Sequence, residues 1–397
     1  MAMSSLRQIA AVTLVSLLGI PKRLGACSVI VVGIAGVVAV LISVFAMARG
    51  FTDTATKTGR SDRAIVLSQG ARTEATSGIP RAGIMTVLNA DEIKRTADGK
   101  SIASPDYITF ARLSDRRTGL DAFATVRGTG PQLLSLRPEI KIVEGRMFEP
   151  GLREMIVGRT LQRRLQGLEI DSPVALPQGE WKIVGVFESN RDTHESELLT
   201  DVEMLLSAFQ RNTFSSVTVS LRDAGSFDAF KHALVTNPAI AVDVRRETDY
   251  LAEASRPTAK LLYFIAYFIG SIMALGAVFA AVNAMFSAIN DRSKEIATLR
   301  AIGYDGTCVV VSVFIESLLF ALLGAIVGAA VAWNFFNGAS VSTVTSAGPS
   351  PLTYALQVTP SIVSLGIATA CIIGFAAGLF PAIRISRASV VAGLSGT

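Results

Sequence analysis

Polar and apolar positions divide this chain sharply. Four stretches run without charge for long enough to cross a bilayer, which takes roughly 20 apolar residues in a helix. Their charge-poor limits predict spans at residues 24–49, 258–290, 307–334 and 360–383. Between Asp305 and Arg384 the single acid is Glu316, and a polar patch rich in Gly, Pro and Ser near 337–351 separates the last two spans. Buried helices of a large soluble core are the alternative reading, and the basic residues flanking all four runs count against it. Residues 9–20 form a shorter apolar run behind Arg7. At about 18 Å as a helix it is too short to span. With no small-residue cleavage site before Pro21, Lys22 and Arg23, residues 1–23 read as an uncleaved helix in the membrane interface rather than as a signal peptide.

From 50 to 257 the pattern changes to mixed α and β. Residues 214–221 (FSSVTVSL) alternate, with Val217, Val219 and Leu221 on one face and Ser216, Thr218 and Ser220 on the other. Ser226 is positioned to cap a short helix carrying Phe227, Phe230 and Leu234. Strands are predicted at 140–143, 154–157, 181–187 and 241–244, with a turn at Glu144-Gly145-Arg146. From Thr248 a helical pattern continues into the second span, interrupted only by Pro257. The fold class expected is a membrane protein: four transmembrane α-helices plus an N-terminal interfacial helix, with a large α+β extracytoplasmic domain between the first and second spans. The remaining segments are a cytoplasmic loop or helix at 291–306, a short loop at 335–359 and a tail at 384–397.

Charge sets the orientation. Arg7, Lys22, Arg23, Arg292, Lys294, Arg300, Arg384 and Arg387 gather at one set of span ends, while the 335–359 connection carries no charge. Basic residues stay in the cytoplasm, so both termini and the 291–306 segment are expected there, and 50–257 on the far side. That segment holds 27 basic and 28 acidic residues, so the net charge of +5 reflects topology and not a nucleic-acid surface. Cys27, Cys308 and Cys371 all fall in predicted spans, which leaves the α+β domain to stand on its core without disulfides.

Candidate chemistry is sparse. His194 and His232 sit apart, with no cysteine or carboxylate cluster at ligand spacing, and read as surface residues. The chain has no Walker A loop, no nucleophile elbow and no H-E-x-x-H motif. Glu316 is the one acid inside a predicted span. It reads as a structural residue bonded to a neighbouring helix or to the basic loop, with proton coupling as the sharper alternative. The stretch DRSKEIATLRAIGYDG (291–306) is neither a clean amphipathic helix nor a lipid-compatible one. Its i,i+3 pairs contribute only a few tenths of a kcal/mol. A basic topogenic loop is the bland reading. Docking into a cleft on a cytoplasmic partner accounts better for the mixture, with Ile296 and Leu299 as anchors and the charges setting register.

RSKEIATLRAIG (292–303), FIESLLFALLGAIVGAAVAW (314–333) and GLFPAIRISRASVVAGL (378–394) resemble, in order and spacing, the permease superfamily of MacB-type, lipoprotein-releasing and FtsX-type ABC systems. EGRMFE, EMIVGRTL and KIVGVF resemble that family's extracytoplasmic core. MacB carries a fused ATPase; this sequence has none and resembles a separate permease subunit.

The resemblance implies a dimer of permeases, identical or related, docked on two copies of a cytoplasmic ABC ATPase. The chain then binds no cofactor and is not itself an enzyme; ATP and Mg enter through the partner. Coupling falls to Arg292, Lys294, Glu295, Ile296, Leu299, Arg300 and Gly303. Gly324, Gly328 and Ala329 in the third span, with Gly374 and Gly378 in the fourth, permit close helix packing. The function implied is export of hydrophobic or amphipathic cargo across a bacterial inner membrane, alongside membrane lipids and, in some systems, a periplasmic adaptor and an outer-membrane channel; no nucleic acid is involved. The second reading is an FtsX-like mechanotransmitter that regulates an extracytoplasmic enzyme. An independent receptor or membrane enzyme is a third, disfavoured by the lack of a catalytic set.

Overall fold

A computed structural model describes residues 5–18, 24–57, 59–177, 179–190, 192–290, 295, 297–298, 301–302, 306–345 and 348–387. In chain order the helices are α1 (Ser5–Leu18), α2 (Leu24–Lys57), α3 (Arg81–Leu88), α4 (Leu133–Leu136), α5 (Arg159–Arg164), α6 (Val202–Ala208), α7 (Phe227–Val235), α8 (Glu247–Asn290), α9 (Gly306–Phe336) and α10 (Pro360–Arg387). The strands are β1 (Arg63–Ser68), β2 (Ile79–Pro80), β3 (Ala103–Ser114), β4 (Asp121–Thr129), β5 (Lys141–Gly145), β6 (Glu154–Gly158), β7 (Pro173–Leu176), β8 (Gly179–Glu188), β9 (Glu197–Asp201), β10 (Thr213–Phe214), β11 (Ser216–Ser220), β12 (Val242–Arg246), β13 (Ser340–Thr345) and β14 (Gly348–Ala355). The chain forms two compact units: a helical unit (1–49, 262–339, 356–397) and an α+β domain (50–261, 340–355).

In the helical unit, α2, α8, α9 and α10 are each long and apolar enough to cross a membrane. Their contacts run along small residues. A Cβ on Gly324 would lie 2.9 Å from Val31 O, and one on Gly328 2.5 Å from Ala35 O, so α9 rides directly on α2. A Cβ on Gly374 would meet Ala321 Cβ at 2.5 Å and one on Gly378 would meet Ser317 Oγ at 2.6 Å, which does the same for α10 on α9. Without a hydrophobic force between helices in lipid, such close backbone approach is what dispersion requires. The helical unit's stretch of α8 packs through Leu262, Ala266, Ala277, Ala281 and Met285 and leaves Phe264, Tyr267, Phe268, Ile272, Leu275 and Phe279 exposed. α1 lies against α9, where Cys308 Sγ donates to Gln8 Oε1 at 3.5 Å.

The α+β domain is built on one sheet of order β12-β1-β11-β3-β4-β9-β6-β8-β5, with β7 also on β8. Only β4–β9 and β6–β8 run parallel among its pairs. Strand alternation sorts its side chains into separate cores. Ala64, Val66, Val217, Val219 and Val244 meet Ile84 and Val87 of α3 and Phe230 and Leu234 of α7. Val126, Met155, Val157, Trp181, Ile183 and Leu198 pack with Leu161 of α5 and Leu205 of α6. Ile156, Val184, Phe187 and Leu199 face the other way, onto Leu133, Ile140 and Phe148. Ile65 and Leu67, opposite to Ala64 and Val66, take Tyr250 from the first turn of α8.

Four expectations need correction. The 214–221 strand is two: β10 pairs with β2, then the chain breaks at Ser215, whose Oγ accepts Ile108 N–H at 3.1 Å. The turn expected at Glu144-Gly145-Arg146 is strand for its first two residues: β5 continues through Glu144 and Gly145, which pair with Val186 and Gly185 after a register shift. Ser226 caps no helix with its side chain; Asp223 does the local work, accepting Ser226 N–H. The 335–359 connection holds the β13–β14 hairpin, which lies beside β4 in the α+β domain, with Tyr354 edge-on to Phe51 at 5.4 Å.

Candidate functional site

The polar face of the sheet near its centre buries an ionic cluster that grips the root of α8. Arg63 opens β1 on the same face as Ile65 and Leu67, so alternation carries its side chain toward α8 and away from the aliphatic core. It forks onto Glu139 at 2.7 and 3.0 Å and lies 3.6 Å from Glu247. Arg137, at the C-terminal end of α4, donates to Glu247 Oε1 at 2.6 Å, and the backbone N–H of Arg60 donates to Glu247 Oε2 at 3.1 Å. Glu247 is the first residue of α8, where the helix dipole also favours a carboxylate.

A second node lies beside it. Arg127 of β4 shares a face with Thr125 and Thr129, opposite to the core residue Val126. Its guanidinium reaches Glu197 of β9 at 2.8 and 3.1 Å, Glu74 at 2.8 and 3.1 Å, and Asp106 of β3 at 3.3 Å. The outer oxygens are held too. Ser216 donates to Glu74 at 2.6 Å, Ser104 donates to Asp106 at 2.5 Å, and His194 Nδ1 lies 3.0 Å from Glu197. Tyr250 of α8 accepts Glu74 N–H at 3.1 Å and so ties this node to the same helical turn.

Three arginines therefore meet five carboxylates with little water. Burial works to raise Glu74, Asp106, Glu139 and Glu197, and the arginines decide which stay ionised. Burial is the largest influence on Glu197, yet Arg127 and His194 hold it well below the usual carboxylate range. Burial is likewise largest at Glu74, where Arg127 and Ser216 outweigh it and lower the carboxyl. Asp106 has only the edge of Arg127, and burial pushes it up to about 6. Arg127 stays charged against its own desolvation because Glu197 and Glu74 surround it. Nothing in this arrangement offers a nucleophile beside a free base. Its chemistry is cohesion, with about 3–5 kcal/mol at stake when one partner of a buried pair is removed.

Glu316 sits in the helical unit, 7% exposed on α9, one turn beyond buried Ser312. It is engaged, not free.

Residues 28–237, more than half of the chain, match the family described as the MacB-like periplasmic core domain, and residues 267–390 match the FtsX-like permease C-terminal family. The chain belongs to the MacB/FtsX-type family of ABC transporter permeases. It is similar to the Bacillus subtilis ABC transporter permease YknZ, 20% identical over 327 residues, which are 78% of this chain and 79% of that one. It is also similar to the macrolide export ATP-binding/permease protein MacB of Bdellovibrio bacteriovorus, 24% identical over 289 residues, covering 66% of this chain but 42% of that protein. Among solved structures, the periplasmic region of MacB from Actinobacillus actinomycetemcomitans aligns with 49% of this chain and 92% of its own at 11% identity and a TM-score of 0.38.

Of the permease's expected coupling residues, one falls among the described residues. Arg292, Lys294, Ile296, Leu299, Arg300 and Gly303 lie outside the described residues; Glu295 is helical and exposed. His194, expected at the surface, is buried at 6% exposure, because Asp192 caps its turn through the N–H of His194 at 2.9 Å and Glu197 binds its ring. His232 is exposed, as expected. The residues missed are Arg63, Arg127, Arg137 and their acids. A signal was present: Arg127 follows Thr125-Val126 inside an apolar strand, and Arg63 heads Ala64-Ile65-Val66. Charges at strand parity in such company are either edge residues or paired in a core.

Proposed function

We propose that this permease is the non-catalytic membrane subunit of an ATP-driven exporter, which couples hydrolysis by a separate ATPase to motion of its α+β domain. The supporting observation is α8. Its first turn is fixed in the ionic cluster through Glu247 and Tyr250, and its last residue, Asn290, leads directly into the 292–303 segment. One helix thus joins the stretch suited to receive work to the domain suited to use it. The chain acts as one of two permease copies in a bacterial inner membrane, with both termini cytoplasmic and ATP and Mg bound by the partner; hydrophobic or amphipathic cargo is extruded on the far side.

The test is purification of the full chain in mild detergent, followed by ATP turnover with the co-purifying ATPase. Leu299→Pro, which puts a helix-breaking residue into the 292–303 segment, is expected to abolish stimulated turnover while the spans stay folded. Normal coupling in that variant sinks the assignment. Intact coupling with no cargo defect on deletion, together with cross-linking to a cell-wall hydrolase, selects the mechanotransmitter instead.

A further inference from the structure

A cleft of about 440 Å3 opens on the α+β domain beside β5 and α5, within the size range of small-ligand sites. No apolar side chain lines it, so the oily cargo of the exporter reading has no purchase there. Its acids are already engaged. Glu139 takes the fork of Arg63 at 2.7 and 3.0 Å. Glu195 accepts Thr160 Oγ–H at 2.7 Å and Ser189 N–H at 3.0 Å. Glu188 lies 3.4 Å from Arg159 Nε, while Arg159 Nη1 reaches Glu144 at 2.7 Å. Three donors on the rim are different. Lys141 of β5, Arg163 of α5 and Asn190 after β8 make no side-chain hydrogen bond or ion pair among the described residues. Lys141 stands opposite Glu188 in the strand register without pairing to it. The lining balances in charge, three carboxylates against three cations, but each acid is already engaged while Lys141, Arg163 and Asn190 leave three donors from three elements for a ligand.

We propose that this cleft binds a phosphate group, with the Arg163 fork, the Lys141 ammonium and the Asn190 amide each addressing one oxygen. An arginine fork beside a lysine point charge is the usual protein answer to a phosphate, and three donors from separate elements suit a tetrahedral anion better than a planar carboxylate. The bearer is a soluble phosphate monoester or a phospholipid headgroup. The site stands apart from ATP coupling, so its failure leaves co-purification with the ATPase unchanged.

The experiment uses the full chain in phosphatidylcholine nanodiscs, titrated calorimetrically with glycerol 3-phosphate. Saturable binding that weakens with salt is expected. Lys141→Ala and Arg163→Ala are each expected to weaken it roughly tenfold, the loss of one charge-assisted hydrogen bond. The double variant K141E/R163E is expected to abolish it, and Lys231→Ala on α7 to leave it unchanged. Glu139 is left alone because it also belongs to the ionic cluster. Nanodiscs containing phosphatidylglycerol separate the sources: weaker apparent affinity for the soluble probe assigns the cleft to lipid headgroups, and unchanged affinity assigns it to soluble esters. Absence of saturable binding, or wild-type binding by K141E/R163E, overturns the proposal.

Discussion

Arg127→Met is the most direct probe of the ionic cluster. The substitution keeps much of the aliphatic stem and removes a guanidinium that reaches Glu197 and Glu74 twice each and Asp106 once. Three buried carboxylates then lose their shared cation. Removing one partner of a buried pair costs about 3–5 kcal/mol, and in a domain of this size each kcal/mol moves the midpoint by about 2–4 °C. The expected loss is roughly 6–20 °C. Trp181, fully buried in β8, reports unfolding of the α+β domain, and Trp333→Phe removes the one other tryptophan. The pH dependence sharpens the test. In the wild type, Glu74 and Glu197 are held low, so their contribution is present above the unfolded carboxylate range and is lost as pH falls. Without Arg127, burial dominates and raises the folded pKa of all three acids, so the variant loses stability as pH rises. The gap between variant and wild type is therefore widest near about pH 8 and narrows toward about pH 5. A shift under about 2 °C near neutrality, or a gap that widens as pH falls, refutes the account.

The same cluster predicts that Asp106→Asn is neutral to stabilising near pH 7. Asp106 has a folded pKa of about 6, raised from 3.8, so its contribution is full below the unfolded value and lost as pH rises through about 6; the amide variant flattens that limb of the Trp181 melting profile. In the helical unit, Gly328→Ala places a methyl 2.5 Å from Ala35 O, a backbone atom that cannot yield cheaply; a lower aggregation temperature in detergent is expected, by about 1–3 kcal/mol of overpacking. Glu316→Gln keeps the shape and most hydrogen bonding of the buried residue, so ATP-stimulated turnover is expected to survive; its loss means that ionisation of Glu316 matters to the cycle.

The four spans were readable because an uncharged run of bilayer length suits little besides a membrane-crossing helix. The small residues at Gly324, Gly328, Gly374 and Gly378 indicated where helices touch, and the structure uses each of them. Strands with strong β-branched cores, such as 154–157 and 181–187, were readable for the same local reason. The ionic cluster was not, because its partners are remote in sequence: Arg63 and Glu139 are 76 positions apart, Arg127 and Glu197 are 70, and Arg137 and Glu247 are 110. Periodicity assigns a side chain to a face but not to a partner. Alternation likewise put Ser216 on a polar face without showing that it meets Glu74 there. The hairpin at 340–355 was hidden by its Gly, Pro and Ser content, which locally reads as loop although its residues pair from Ser340 with Ala355 onward.

An apolar contact would hold α8 to the sheet as firmly as buried ion pairs do, since replacing such pairs by well-packed hydrophobes is often neutral or stabilising. The difference lies in tolerance of slip. Tyr250 against Ile65 and Leu67 is a greasy contact that survives small rotations of the helix. Glu247 is not so permissive. Turning α8 by one residue swings its carboxylate through about 100° and leaves Arg137, itself only 5% exposed, without its partner at 2.6 Å. The pairing therefore favours one rotational setting of the helix and penalises its neighbours by several kcal/mol. For a helix that a partner is expected to push, that selectivity has a mechanical consequence. On the exporter reading, displacement of α8 would pass to β1 and α4 through Arg63 and Arg137 instead of being absorbed by sliding at the root.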